Sequence, residues 1–220
     1  MSDETKRTIA TVTKYGPASE GLLAATLKVD ADVSAAYTKP GQYIVLHPEG
    51  EEKPVFMALA SAPGAAEFEL LIGSPAAEKL NLSEGKEIAI DPPGGNGYPV
   101  DLAEGKDVVL FGVGSGLSAM RSLVEYIRAH RADFKDVTAY FGARTEEAHA
   151  YKALDAQWAA DGVTIHRTTS KPWVQDVFRN DPVAVDNAVA FVCGMKEMVN
   201  GVTEALVEAG LSKDLVRQNY

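Results

Sequence analysis

The stretch that decides the fold is Val108–Leu123, VVLFGVGSGLSAMRSL. Its unbroken apolar start, Val108–Gly112, reads as a strand buried on both faces, the pattern of a parallel sheet. Gly112, Gly114 and Gly116 then alternate through a tight turn. Leu117, Met120, Leu123, Val124 and Ile127 follow at helical spacing, which predicts a helix over 117–131. Such a turn lets a backbone approach a pyrophosphate, and the helix N-terminus supplies free N–H groups and partial positive charge. The spacing is G-x-G-x-G rather than G-x-G-x-x-G, and no acidic residue closes the next strand, VTAYFGA. On these residues alone, a nucleotide turn and a plain strand-to-helix connection fit equally well.

Downstream of this stretch, strands and helices alternate. Strands are predicted at 137–142, 163–168 and 188–193, with a short last one near 215–218. Helices are predicted at AYKALDAQWAA (150–160), 173–180 and 196–209. That order implies a parallel sheet covered on both faces. Upstream the grammar differs. TIATVTKY, LLAATLKV, QYIVLHP, VFMALAS, FELLIG and KEIAID are short runs with partial alternation, punctuated by Pro-Gly and Gly-rich turns. Six such runs predict a six-stranded antiparallel β-barrel, capped by the short helical stretch PAAEKLNL. The chain therefore divides into a barrel, residues 1–103, and an α/β domain, residues 104–220.

The composition narrows the function. The formal net charge is −10, and no basic run is present, which argues against nucleic acid or an anionic membrane as the main partner. The single cysteine, Cys193, excludes an internal disulfide framework and a cysteine-based metal cluster, and the four histidines lack ligand spacing. No apolar run is long enough to span a bilayer, and the first residues lack a secretory signal. A reducing compartment, cytoplasm or plastid stroma, is expected. The segment FVCGMKEM (191–198) closes a strand with Cys-Gly and opens a helix, which puts Cys193 on the ligand edge of a parallel sheet. Taken alone, it reads more readily as a small buried hydrophobe, as free cysteines usually do.

Taken together, the barrel, GVGSGLSAMRSL, AYFGART, FVCGMKEM, KPGQYIVL, LASAP, PPGGNGY and the C-terminal ALVEAGLSKDLVRQNY resemble the ferredoxin–NADP reductase superfamily over nearly the whole chain. Within it, the chain looks most like a plant and algal branch typified by a kiwi-fruit protein. The resemblance implies FAD on the barrel, NAD(P)H on the second domain, and hydride transfer between nicotinamide and flavin. It places Gly112, Gly114, Ser115 and Gly116 on the dinucleotide pyrophosphate, and Cys193, Gly194 and Met195 beside the nicotinamide. Tyr220 would cover one flavin face. Arg144, Ser170 and Lys171 would lie near the adenosine 2′ position, with Glu146 and Glu147 opposing a phosphate there.

The chain departs from that pattern at the flavin strand. Aligned on LASAP, the superfamily's Arg-x-Tyr-Ser becomes Val55, Phe56, Met57 and Ala58, followed by Leu59, Ala60 and Ser61. Valine cannot make the bidentate contact of an arginine with a pyrophosphate. Met57 could pack on the flavin ring but offers no hydroxyl, and Lys53 could stand in as a point charge on the same face. At the second pyrophosphate anchor, GSPAAEKL, Ser74 is the only hydroxyl. The implied function is an FAD-dependent oxidoreductase moving electrons between NAD(P)H and an unidentified acceptor. A redox-protein partner or a larger complex would receive the electrons. The alternative is a reductase-like subunit that has lost its flavin and serves as a binding or structural component.

Overall fold

A computed structural model describes residues 7–219. The N-terminal half forms β1 (Thr8–Ser19), β2 (Leu22–Lys28), α1 (Ala31–Ala35), β3 (Tyr43–His47), β4 (Val55–Ala58), β5 (Glu67–Gly73), α2 (Ser74–Leu80) and β6 (Glu87–Gly94). All six predicted strands are present, in the antiparallel order β4-β3-β6-β1-β2-β5. The two edge strands meet through a bridge between Leu59 and Leu70 and a hydrogen bond from Ala60 N to Glu69 O at 2.7 Å. This contact removes the open edge and makes the sheet a barrel. Alternate residues fill its interior, among them Ala10, Val12, Leu27, Ile44, Leu46, Phe68, Leu70, Ile72, Ile88 and Ile90. Helix α2 stops at Asn81, a left-handed residue (φ 43°) whose carbonyl accepts from Lys86 Nζ at 2.8 Å.

After a short 3₁₀ turn, Val100–Ala103, the second half forms β7 (Asp107–Val113), α3 (Leu117–Ala129), β8 (Val137–Ala143), α4 (Asp155–Ala160), β9 (Val163–Thr169), α5 (Val174–Asn180), β10 (Ala188–Cys193), α6 (Lys196–Glu208) and β11 (Val216–Arg217). The sheet is wholly parallel, in the order β11-β10-β7-β8-β9. Helices α3 and α4 cover one face, with Met120, Leu123, Ile127 and Trp158 in that core. The opposite face packs on α5 and α6 through Phe178, Val199, Val202 and Leu206. Counted within this domain the order is 5-4-1-2-3, so the chain reverses direction across the sheet between β7 and β10. In open α/β sheets the crevice at that reversal, beyond the carboxyl ends of the strands, is where ligands bind. Among the described residues, no helix is long and apolar enough to cross a membrane.

Three predicted boundaries shift for local reasons. Helix α3 ends at Ala129 rather than Arg131, where His130 leaves helical geometry (φ −122°, ψ 34°). The predicted helix over 150–160 is broken by Tyr151, which is left-handed (φ 60°). A 3₁₀ turn, Lys152–Leu154, precedes the six-residue α4. The last strand pairs over only two residues, Val216 and Arg217.

Candidate dinucleotide and flavin site

At the reversal point the two glycine-containing turns of the α/β domain are packed against each other. Gly112 pairs with Cys193 across β7 and β10. A Cβ on Gly116 would fall 2.6 Å from Cys193 O, and one on Gly194 would fall 2.6 Å from Val113 Cγ2. Gly114 is different: it is left-handed (φ 55°), and nothing lies within 4 Å of where its Cβ would be. The turn therefore closes on the sheet at Gly112 and Gly116 and opens toward solvent at Gly114 and the exposed Ser115. A 3₁₀ turn, Gly114–Gly116, runs straight into α3, with Leu117 N donating to Gly114 O, and no side chain caps either start. An open left-handed glycine beside an uncapped 13-residue helix fits a dinucleotide pyrophosphate.

Cys193 sits half-buried at the end of β10, with its thiol in hydrogen-bond reach of the Tyr98 hydroxyl. Burial pushes the thiol pKa up to about 11, and the Tyr98 contact offsets only part of that shift. Tyr98 itself is fully buried, edge-on to Phe191 with ring centroids 5.2 Å apart, and its hydroxyl donates to Val192 O at 3.4 Å. The crevice wall therefore carries a neutral thiol rather than a thiolate. Alkylation of Cys193 by iodoacetamide should stay slow through neutral pH and accelerate only as pH approaches 11, because the thiolate is the nucleophile. A rate that already plateaus near pH 9, about where an ordinary thiol titrates, would contradict this. Beside Cys193, Met195 is 64% exposed at the N-cap of α6.

Arg144, Ser170 and Lys171 come together at the carboxyl ends of β8 and β9. Ser170 is left-handed (φ 47°); its N donates to Ala143 O at 2.9 Å and its Oγ to Arg144 O at 2.7 Å. Arg144 and Lys171 are both exposed, and neither enters an ion pair among the described residues. Glu146, by contrast, is engaged by Lys152, whose ammonium holds the carboxyl below its usual range. Glu147 is exposed, and its carbonyl accepts from Glu20 N of the barrel at 2.9 Å.

The flavin strand differs from the sequence-based expectation. Val55 and Met57 pair with the buried Leu46 and Ile44 and point into the barrel core, so Met57 is 8% exposed and does not face a ligand. The residues on the outer face of β4 are Phe56, which is 62% exposed, and Ala58. Lys53 is exposed in the bend before β4, not on the strand. Leu59 and Ala60 are fully buried, since they close the barrel against β5. Ser61 is 5% exposed, and both its oxygens are occupied: Oγ accepts from Glu69 N at 3.2 Å and O from Tyr37 Oη at 2.8 Å. These three residues support the strand and leave no surface for a cofactor. Ser74 is exposed as the first residue of α2. Tyr220 lies outside the described residues, but its neighbour Asn219 is buried and donates from Nδ2 to Gly41 O at 2.9 Å.

A flavin ring has somewhere to rest nonetheless. Phe56 meets Tyr43 with ring centroids 5.5 Å apart, and Tyr43 is the cross-strand partner of Ala58. The Tyr43 ring lies over Gly95, where a Cβ would come within 2.6 Å of Cε1. The Tyr43 ring fills the space over Gly95 and, with Phe56, forms an aromatic surface that suits a flat heterocycle, while Lys53 and Ser74 are the only sequence-predicted groups for its phosphates.

Comparison with known proteins is consistent with this arrangement. Residues 110–204 match the oxidoreductase NAD-binding domain family. The gamma subunit of sulfhydrogenase 2 from Pyrococcus furiosus is 26% identical over 212 residues, spanning 84% of this chain and 72% of the relative. The cytochrome P450 reductase GcoB from Amycolatopsis superposes with a TM-score of 0.84 at 19% identity, over 100% of this chain and 72% of that one. A ferredoxin NADP+ reductase from Neisseria gonorrhoeae, solved with bound FAD and NADP, superposes at 0.78 and 17% identity, over 99% and 100%. The chain shares the fold of these reductases.

The barrel and the α/β half are joined through α3, the helix that follows the glycine turn. Ser118 Oγ of α3 donates to Ala58 O on the flavin strand at 2.7 Å. Ser122 shares a hydrogen bond with Tyr37 Oη, and Arg121 pairs with Glu69 while donating to Ala60 O at 3.4 Å. Sequence reading passed over Phe56, Tyr43, Tyr98, Ser118 and Arg121. The available signal was Ser118, Arg121 and Ser122, a polar stripe at helical spacing on a helix otherwise apolar on its buried face.

Proposed function

We propose that the protein is an NAD(P)H-dependent flavin oxidoreductase that passes electrons to a separate redox protein. One observation carries the reading: the glycine turn, Cys193 and the flavin strand converge at the sheet reversal, with α3 hydrogen-bonded directly to the strand. Gly114, Ser115 and Gly116, in the 3₁₀ turn that leads into α3, hold the dinucleotide pyrophosphate through backbone N–H groups. Gly116 and Gly194 let the backbone of the two turns approach closely enough to shape the nicotinamide pocket. Cys193, held neutral by burial and oriented by Tyr98, presents no thiolate that could add to the nicotinamide ring. The outer face of β4 with Tyr43 receives the flavin, and Lys53 and Ser74 serve its phosphates. Bound there, a flavin supplies the ability to accept two electrons together and release them one at a time. The residues 1–103 and 104–220 act as the flavin and dinucleotide modules.

Several observations support the partner. The sulfhydrogenase relative is by name a subunit of a larger enzyme, and no metal-ligand cluster occurs among the described residues of this chain. A reducing compartment, cytoplasm or plastid stroma, suits the free Cys193. The altered flavin strand supports membership of the plant and algal branch. The flavin-free structural subunit is the weaker reading, because the open Gly114 turn and the uncovered aromatic face would then have no occupant.

The test is NAD(P)H-driven reduction of ferricyanide, which should require FAD. The paired cations also favour NADPH. Replacing Arg144 and Lys171 together with alanine should raise KM for NADPH by about tenfold or more, the worth of a charge-assisted contact, and leave NADH nearly unchanged. Equal effects on both dinucleotides would remove these residues from the 2′-phosphate site.

A further inference from the structure

The segment 58–61, where β4 runs out, is bonded in two directions. Its amides turn to the barrel: Leu59 N donates to Gln42 O at 3.0 Å and Ala60 N to Glu69 O at 2.7 Å. Its carbonyls turn to α3. Ala58 O accepts from Ser118 Oγ at 2.7 Å, and Ala60 O from Arg121 Nη1 at 3.4 Å. Ser61 O accepts from Tyr37 Oη at 2.8 Å, and that hydroxyl is bonded in turn to Ser122. Residues 118, 121 and 122 share one face of α3 by their spacing. Within that face Ser118 stands apart. It is the second residue of α3 and follows Gly116 by two, so no flexible segment separates its hydroxyl from the glycine turn. It is 1% exposed and its hydroxyl proton is committed to Ala58, so it meets no ligand itself.

We propose that Ser118 is a positioning residue for hydride transfer: its hydroxyl ties the turn that carries the dinucleotide to the strand that carries the flavin, and so sets how the two rings meet. This deepens the reductase reading above and rests on it. In the transfer the hydride leaves the nicotinamide with both electrons of its C–H bond, so NADPH is oxidised to NADP+ and the flavin is reduced by two electrons. Such a step is steep in distance and alignment, whereas the binding of either group alone is not. The pyrophosphate is gripped at Gly114–Gly116 and the flavin on the barrel, so each binds without help from Ser118. What the hydroxyl adds is the register between them. Both ends of its bond are rigid, because Ala58 is paired with Tyr43 in the sheet and Ser118 lies inside the helix. Arg121 and Ser122 hold the seam one turn farther from the glycines and act on domain stability instead.

The test compares FAD-loaded wild type, Ser118→Ala, Ser118→Cys and Ser122→Ala. Both serines are buried hydroxyls on the junction face, so a merely structural role predicts like effects for the two alanine variants. Alanine is the best helix former, so neither substitution unfolds α3. Ser118→Ala should leave the dissociation constants of NADPH and FAD close to wild type. At saturating NADPH its flavin should bleach about tenfold more slowly or worse in anaerobic stopped flow, and the long-wavelength charge-transfer band between nicotinamide and flavin should weaken. Ser118→Cys, which keeps a weak donor at the same place, should fall between. Ser122→Ala should lower the urea midpoint and keep both the rate and the band. A Ser118→Ala protein that bleaches at the wild-type rate, or is slowed no more than Ser122→Ala, overturns the assignment while leaving the flavoprotein reading intact. So does a slowing that traces wholly to weaker binding of NADPH or FAD. A wild-type protein that takes up no FAD overturns both.

Discussion

Gly116→Ala should cost the protein its dinucleotide affinity. The new Cβ would fall 2.6 Å from Cys193 O, 2.9 Å from Cys193 C and 3.2 Å from Gly194 N, all backbone atoms. None can swing aside as a side-chain tip would, because Cys193 is paired with Gly112 in the parallel ladder. Relief has to come from moving the start of α3 away from the β10–α6 turn, and those are the two walls of the crevice. Overpacking of this kind costs about 1–3 kcal/mol of stability. A displacement approaching an ångström at a binding site can cost on the order of a hundredfold in function. Calorimetric titration with NADPH should show that loss while the far-UV spectrum stays native. Gly114→Ala is the contrast: nothing crowds its Cβ, so its penalty comes from the left-handed backbone (φ 55°) and is smaller, about 1 kcal/mol. Wild-type NADPH affinity in Gly116→Ala would contradict the packing of the two turns.

The second large effect is at the domain junction. Arg121 is 16% exposed, pairs with Glu69 of the barrel and lies over the Tyr151 ring at 4.9 Å. Its Nε is buried without a partner, so the guanidinium is held by the far side of its fork and by the ring. Arg121→Ala removes an ion pair, a cation–π contact and the packing of the stem together. Glu69 remains 41% exposed and regains water, so the loss lies at the lower end for a broken pair, about 2 kcal/mol. Arg121→Met keeps the stem and loses only the charge, and should recover part of that. Urea denaturation measures both. Because the pair spans the domains, Arg121→Ala should also split the unfolding into two transitions. A single transition at the wild-type midpoint would show that the junction is held elsewhere.

The parts of this architecture that the sequence made legible are those with a strong period. Val108–Gly112 is apolar at every position, as a strand covered on both faces must be, and the glycines after it mark where backbone approaches backbone. The six barrel strands showed through their turn residues. The facing of β4 did not. VFMALAS is apolar at all but its last position, so its partial alternation leaves either pleat phase open, and only the cross-strand pairing with Ile44 and Leu46 decides that Met57 goes in and Phe56 out. The hydroxyl and guanidinium hydrogen bonds of Ser118, Arg121 and Tyr98 link residues 52 or more apart in sequence, and local pattern carries no record of them. Helix α1, five residues long, is too short to show a period.

The central claim is that the crevice and the outer face of β4 together hold a dinucleotide and a flavin. The most direct test is the visible spectrum of the purified protein, reconstituted with FAD and titrated anaerobically with NADPH. The account predicts a stoichiometric flavin band that bleaches on addition of the nucleotide. A colourless protein that takes up neither FAD nor FMN would contradict it.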